Sequence, residues 1–536
     1  MVEPTCPAPQ TTIFMPCPSR VRHPPRTGAA RGRERFGPPS GAKTASPCVR
    51  RSGRVDKPGA RSVRETDPAP TRRGKEDARP DDSRKRVESR DCEALRSVPT
   101  PSLAPDRQAR DGREVGSRAM PHTRDGPAVI VDPYSSGAVF ADAFRRVGWP
   151  VVAVMSAPEP PAVYAASFQP QDFDAILVAR EDEYPRVIEK LDAMNPRCIL
   201  TGCESGVELT DTIAPVLLPE LANRPELARA RRHKGEMAAA VAAAGIPGMR
   251  QICTNRAEEV EAWISRENLL GRDLVIKPPM SASTDGVTRI EAGRGWRQRF
   301  AELLGSVDRL GHENEMLVVQ EFLHGVEYAV DTVSYDGRHG VASICRYNKV
   351  DNGPFMAVYD TMDWMPPGFA GADALRDHAF AVLDAVGMRY GTSHVEVMLT
   401  ENGPRLVEIG ARPHGGGHPH FCRHATGDSQ VDRIARSFAE GRPCDDGYEL
   451  GTNLTIVFLL CREGGVVTNR AALDRIADLP SHHVSRIAIE QGDVLVPTKD
   501  LFASLDMGFV ALAHEDPEQI QIDRRIIRAL EADLYA

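Results

Sequence analysis

From Ala128 onward, short apolar runs alternate with longer amphipathic stretches. AVIVD (Ala128–Asp132) predicts a buried strand, followed by a PYSSG loop and the helical AVFADAFRRVG. PVVAVMS and DFDAILVA predict two more strands, and RCILTG a fourth after the helical EYPRVIEKLDAM. Strands separated by helices imply a parallel sheet covered on both faces. The first turn lacks GxGxxG, so no dinucleotide site is expected despite the Rossmann-like order. PELARARRHKGEMAAAVAAAGIP predicts one long Ala-rich helix stopped by Gly245 and Pro247. LVIKPP (Leu274–Pro279) then reads as a strand, Met280–Val287 as a Ser/Gly loop, and MLVVQEFL (Met316–Leu323) as a strand. GVEYAVDTVSYDG and HGVASICRYNKV alternate like antiparallel strands, and 377–386 is helical. A hairpin, HVEVMLTENGPRLVEIGAR, precedes a last segment of strands (LTIVFLL, GFVALAH) and a terminal helix.

Residues 1–120 differ. They hold no sustained apolar repeat and carry 26 Lys+Arg against 15 Asp+Glu, a local net of +11. Such a stretch buries too little surface to offset the roughly 1–2 kcal/mol of backbone entropy lost per ordered residue. The expectation is a disordered extension with a working start at Met120. A nucleic-acid-binding tail or an organelle transit segment is disfavoured by the interspersed acids. The remaining residues carry a net of −19, which argues against nucleic acid as a partner of the folded part. No run of about 18 apolar residues suggests a membrane span. The 11 cysteines form no CxxC pair, so reduced thiols in the cytoplasm are expected.

The hairpin carries the strongest local chemistry. If its loop holds an odd number of residues, such as Glu401, Asn402 and Gly403, Glu396 stands opposite Glu408. One face then carries Val395, Val397, Val407, Ile409 and Ala411. The other carries His394, Glu396, Met398, Leu406, Glu408, Gly410 and Arg412. Two carboxylates facing each other at about 5 Å repel unless a cation lies between them, and hard divalent ions take such oxygens. Arg412 on the same face suits a phosphate or carboxylate. A merely solvated hairpin is the alternative. Lys277 ends a buried strand, where an amine needs an anionic partner. The following loop, with Ser281, Ser283 and Gly286, suits a flap over phosphates or an ordinary surface loop. Glu321, Phe322 and Leu323 could offer backbone groups to an adenine edge, with Glu327 in reach of ribose hydroxyls. His414, His418, His420, Cys422 and His424 invite a zinc or iron reading, since alternate residues share a face of a strand. Hydrogen-bonded histidines in a substrate-pocket loop are the sounder account. Tyr347 and Lys349 could reach a substrate, although a solvated lysine is expected.

In combination these segments resemble the ATP-grasp superfamily over about residues 225–442. The shared order is Lys234 on a helix, VIKP, a Ser/Gly flap, QEFLHGVEY, then HVEV and LVEIGAR. Within it, the hairpin, ARPHGGG and ATGDSQVD look most like L-amino acid ligases of the dipeptide-forming kind. The resemblance implies an α/β chain: a disordered basic extension (1–124), a Rossmann-like domain (125–225), an ATP-grasp domain (226–442) and a C-terminal α+β lobe (443–536). It implies that Lys234 and Lys277 bind ATP phosphates, that Ser281, Ser283 and Gly286 form the flap, and that Glu321–Leu323 and Glu327 hold adenosine. Glu396 and Glu408 would hold two Mg²⁺, with Mn²⁺ able to substitute. Arg412 would stabilise the transferred phosphate or the bound carboxylate, and His394 is a candidate base or, equally, a histidine that orients Glu408. Many members have an Asn metal ligand where this chain has Gly410, which points to the amino-acid-ligase branch. The implied activity is an ADP-forming carboxylate–amine ligation through an acyl phosphate, with ATP and small-molecule acid and amine substrates and no nucleic-acid or membrane partner. A homodimer is compatible with it. The rival readings are a biotin-carboxylase-like enzyme acting on bicarbonate and a non-catalytic ATP-binding protein.

Overall fold

The computed structural model describes residues 124–535, apart from 282–284, 309–310 and 354. The expected extension, all but Arg124, and the flap residue Ser283 therefore lie outside the described residues.

The first strands are β1 (Ala128–Val131), β2 (Val151–Met155), β3 (Ala175–Val178) and β4 (Cys198–Thr201). They form the expected parallel sheet, in the order β3-β2-β1-β4. β1 is apolar throughout because both of its faces are covered. Ala128 and Ile130 pack with Phe140 and Phe144 of α1 (Val139–Arg146). Val129 and Val131 pack with Leu191 of α2 (Tyr184–Ala193) and Ile213 of α3 (Val207–Leu217).

The single long helix expected next is not formed. Two short 3-10 turns cover 225–231, and α4 spans only Lys234–Ala243. His233 is extended and caps α4, its side chain accepting from the Glu236 N–H. Arg231 is the reason an alanine-rich pattern misleads here. Its guanidinium is buried, paired with Asp211 at 2.8 Å and bonded to the Val386 and Arg224 carbonyls, so tertiary contacts override helix propensity.

An antiparallel sheet follows in the order β5-β8-β6-β7, built from β5 (Gln251–Thr254), β6 (Leu274–Lys277), β7 (Thr288–Ile290) and β8 (Leu317–Glu321). Helices α5 (Ala257–Arg266) and α6 (Trp296–Leu303) cover it through Val260, Trp263 and Phe300.

The largest sheet has eight strands, β13-β12-β9-β10-β11-β14-β18-β16. Its first half is β9 (Val326–Tyr335), β10 (Arg338–Asn352), β11 (Phe355–Trp364), β12 (Gly391–Thr400) and β13 (Gly403–Gly410). The C-terminal segment continues it with β14 (Asn453–Phe458), β16 (His482–Ile487) and β18 (Gly508–His514), beside a minor pair, β15 (Gly465–Val466) and β17 (Val494–Leu495). Helix α7 (Ala372–Ala385) packs on Val395, Val397 and Ile409. α8 (His418–Thr426), α9 (Gln430–Glu440), α10 (Leu501–Met507) and α11 (Pro517–Ala532) complete the described helices. Among them no helix is long and apolar enough to cross a membrane.

Glu396 stands directly opposite Glu408, but not by the route predicted. Thr400 pairs with Gly403, so the loop is the two residues Glu401 and Asn402, with Gly403 at φ +89°. A bulge at Val407 then restores the glutamate register, because Val397 pairs with Leu406. The bulge exchanges two side chains. Leu406, expected on the polar face, joins the core with Val395, Val397, Ile409 and Ala411, while Val407 lines the cavity beside the carboxylates.

Candidate active site

Four charged groups from four elements meet at this hairpin. Glu396 and Glu408 come from adjacent strands, Lys277 ends β6, and Lys234 opens α4. The Lys234 ammonium lies 3.3 Å from Glu408 Oε2 and donates to the Ser281 carbonyl at 2.6 Å, so Ser281 anchors the base of the flap. Lys277 is 4% exposed and directs its ammonium toward the Val407 carbonyl at 3.5 Å. Burial pushes the Lys277 pKa down to about 8, against the pull of Glu408. Burial acts to raise the Glu408 pKa, but Lys234 and Lys277 outweigh it and hold the carboxyl down to about 2. Glu408 is thus ionised, and Lys277 gains from further negative charge nearby. Two facing carboxylates offer hard oxygen donors that fit Mg²⁺.

Two cavities meet at this pair. One is lined by Lys277, Phe322, Leu323, Glu327, Lys349 and Met398 together with both glutamates. Phe322 and Leu323 therefore line the cavity as expected of the hinge. Glu321 does not: its carboxylate turns away to pair with Arg250 at 2.5 Å, and its N–H donates to the Arg250 carbonyl. The Phe322 N–H is likewise spent on the Asp273 carbonyl. Gly286, on the flap, has φ +74° and lies so close to Pro278 that a Cβ would sit 2.9 Å from the proline ring. Glu327 is buried and bonds Lys349 at 2.7 Å, so Lys349 is not the solvated lysine expected. Burial acts to lower the Lys349 pKa, but Glu327 and the neighbouring Tyr359 and Glu396 hold it above the usual lysine range. A roomier cavity lies elsewhere, around Arg289, Arg299 and Lys499, and is lined by neither glutamate.

The second cavity also reaches Glu396 and Glu408, and adds Tyr164, Tyr347, His394, Arg412 and Gly415. Arg412 donates to Glu204 at 3.0 Å, and Arg232 lies 3.2 Å from the other Glu204 oxygen. Glu204 and Arg232 were not singled out from the sequence. A signal did exist for Glu204, which follows β4 at the carboxyl edge of a parallel sheet, where such folds bind ligands.

His394 is buried, with Nε2 3.6 Å from Glu396 and Nδ1 3.2 Å from the Arg412 guanidinium. Its ring fills the space a side chain at position 410 would need, since a Cβ on Gly410 would stand 2.2 Å from His394 Cε1. An Asn at position 410 would need the space that this imidazole from the neighbouring strand occupies.

The histidine run does not form the strand face proposed for a metal. His418–Thr426 is helical, so its alternate residues point apart. His424 stacks on His483, and the Cys422 thiol meets Thr426. Among the described residues, only His418 of the five enters a group compact enough for a cation, with Asp331 and Cys345, and all three are buried.

Residues 270–419 match the family described as ATP-grasp domain. The chain carries an ATP-grasp domain. The match takes in Lys277, Glu327, Glu396, Glu408 and Arg412; Lys234 precedes it. Over 428 residues the chain is 27% identical to dapdiamide A synthase of Enterobacter agglomerans, covering 76% of this chain and 96% of that one. It is 32% identical over 153 residues to carnosine synthase 1 of Mus musculus, covering 26% of this chain and 18% of that one. The crystal structure of an L-amino acid ligase from Bacillus licheniformis superposes with a TM-score of 0.58 at 16% identity, over 76% of this chain and 98% of that one. At that identity the likeness is one of fold. In this chain a parallel α/β sheet precedes the matched residues and further strands continue the large sheet after them.

Proposed function

We propose that this ATP-grasp enzyme is an ADP-forming ligase that activates a carboxylate as an acyl phosphate and transfers it to an amine, an amino acid supplying at least one partner. The observation that carries this reading is the meeting of two cavities at Glu396 and Glu408, one suited to a nucleotide and one containing Arg412. A nucleotide in the first cavity would set its phosphates against Lys234 and Lys277, whose buried ammonium groups gain most from added anionic charge. Adenine would lie by Phe322 and Leu323, with the Leu323 N–H as hinge donor, and ribose by Glu327. Mg²⁺ held by Glu396 and Glu408 would neutralise phosphate charge. The substrate carboxylate would enter the second cavity beside Arg412, oriented in turn by Glu204 and Arg232. The described part of the flap, rooted through Ser281 to Lys234, would keep water from the acyl phosphate. His394 then holds Arg412 and Glu396 in place through ring contacts. The relatives named as synthases and as a ligase support this reaction class.

The test is phosphate release measured over amino acids singly and in pairs, with mass detection of products. Phosphate should appear with a condensed product, and only when two organic substrates are present. Bicarbonate-dependent turnover without an amine would support a carboxylase-type enzyme and contradict the proposal.

A further inference from the structure

Tyr347, His414 and Asp331 form a buried chain of hydrogen bonds that starts at the wall of the second cavity. The Tyr347 hydroxyl lies 2.8 Å from His414 Nε2, and His414 Nδ1 lies 2.9 Å from Asp331 Oδ1. Asp331 is fully buried on β9, where Ser343 donates to its other oxygen at 2.7 Å. The loop bearing His414 is pinned from below: Gln430 accepts from the His414 N–H and donates to the Ser393 carbonyl. With Asp331 accepting at Nδ1, Nε2 presents a lone pair to which the tyrosine donates. This is the ordering of groups that makes a histidine a base, with a phenol as its outer member.

We propose that Tyr347–His414–Asp331 is the proton relay that converts the incoming ammonium substrate into the free amine. The inference rests on the ligase reading. The substrate ammonium gives a proton to the Tyr347 oxygen as the tyrosine passes its own to His414 Nε2, and Asp331 stabilises the imidazolium. The free amine attacks the acyl-phosphate carbonyl. A C–N bond forms, the carbon–oxygen bond to phosphate breaks, and phosphate leaves with the electron pair and the second nitrogen proton. His414 returns its proton to solvent when the products depart. Burial, with His394 and Arg412 nearby, keeps His414 neutral in the resting protein, which is the state able to accept a proton. Acyl phosphate placed beside Arg412 adds the negative charge that favours the imidazolium. The charged and titratable groups facing His414 are Asp331 on β9, Tyr347 on β10, His394 on β12, His418 on α8, and Arg412.

The experiment compares two nucleophiles on the full chain with ATP and Mg²⁺. Hydroxylamine attacks acyl phosphates as a neutral molecule and needs no prior deprotonation, whereas an amino acid does. Tyr347→Phe should lower amide formation on the order of 100-fold at neutral pH, and hydroxamate formation by a much smaller factor. Its amide rate should climb with pH as the free amine fraction grows, more steeply than in the wild type. His414→Gln is the second variant and should show the same split. Equal losses for both nucleophiles, or no loss for either, would overturn the relay. A wild-type chain that forms no ATP-dependent hydroxamate with any amino acid would instead remove the ligase reading beneath it.

Discussion

Lys234 and Lys277 keep the Glu408 carboxyl ionised, and each of these charges depends on the others. Glu408→Ala removes the shared partner and one of the two proposed metal donors. Turnover should fall at least about 100-fold while the far-ultraviolet circular dichroism is retained; ordinary turnover would mean the metal assignment is wrong. A second residue sets acid stability. His378 of α7 is buried, its Nε2 has no hydrogen-bond partner, and burial together with Arg405 pushes its pKa down to about 4. The unfolded chain protonates this ring near pH 6.5 while the folded chain does not, so stability is present above 6.5 and is lost as pH falls toward 4. At pH 5 the loss should be about 1–2 kcal/mol, and His378→Leu should flatten this part of the pH–stability curve in denaturant titrations. The identities of Lys277, Glu396, Glu408 and Arg412 were legible in the sequence because each stands at a strand end or on a polar face of an otherwise apolar element. Glu204 offered only its place after β4, and nothing local in a chain records that it will bond Arg412 from 208 positions away or pair with Arg232.

At the level of elements, the hairpin shows how a correct pairing can be reached through a wrong loop. Alternation of apolar and polar residues favoured an odd loop, yet the chain adopts a two-residue turn and absorbs the extra residue at Val407. Leu406 and Val407 are both apolar, so the pattern could not tell which one faces the core. The run His418 to His424 misled for a related reason: alternate spacing suggests a strand, but Pro419 in the first turn and Gly427 at the end suit the helix observed. The close approach of β12 and β13 gives a sharp test. Gly410→Ala places a methyl group in the His394 ring, which must move and release Arg412. The expected cost is about 1–3 kcal/mol in chemical denaturation, with a larger loss of turnover than of stability; a variant as stable and active as the parent would show that the ring position is not needed.

The chain's three main sheets were foreseen in part. Parallel strands followed by antiparallel ones could be read from the order of the apolar runs. That β14, β18 and β16 extend the large sheet could not, because pairing between β11 and β14 joins segments nearly a hundred residues apart. Asp360 ties the two together, bonding Arg528 at 2.7 Å and also Arg524 from α11, with its own side chain 4% exposed. Asp360→Ala leaves two arginines without their buried partner and should cost about 3–5 kcal/mol, seen as a lower denaturation midpoint; an unchanged midpoint would show that the C-terminal strands are held without it. The account of the whole molecule stands on transfer of phosphate to a carboxylate oxygen between the two cavities. The acid substrate, labelled with ¹⁸O in the carboxylate that is activated, tests this most directly. One labelled oxygen should appear in the phosphate released with each condensed product, and unlabelled phosphate accompanying product would contradict it.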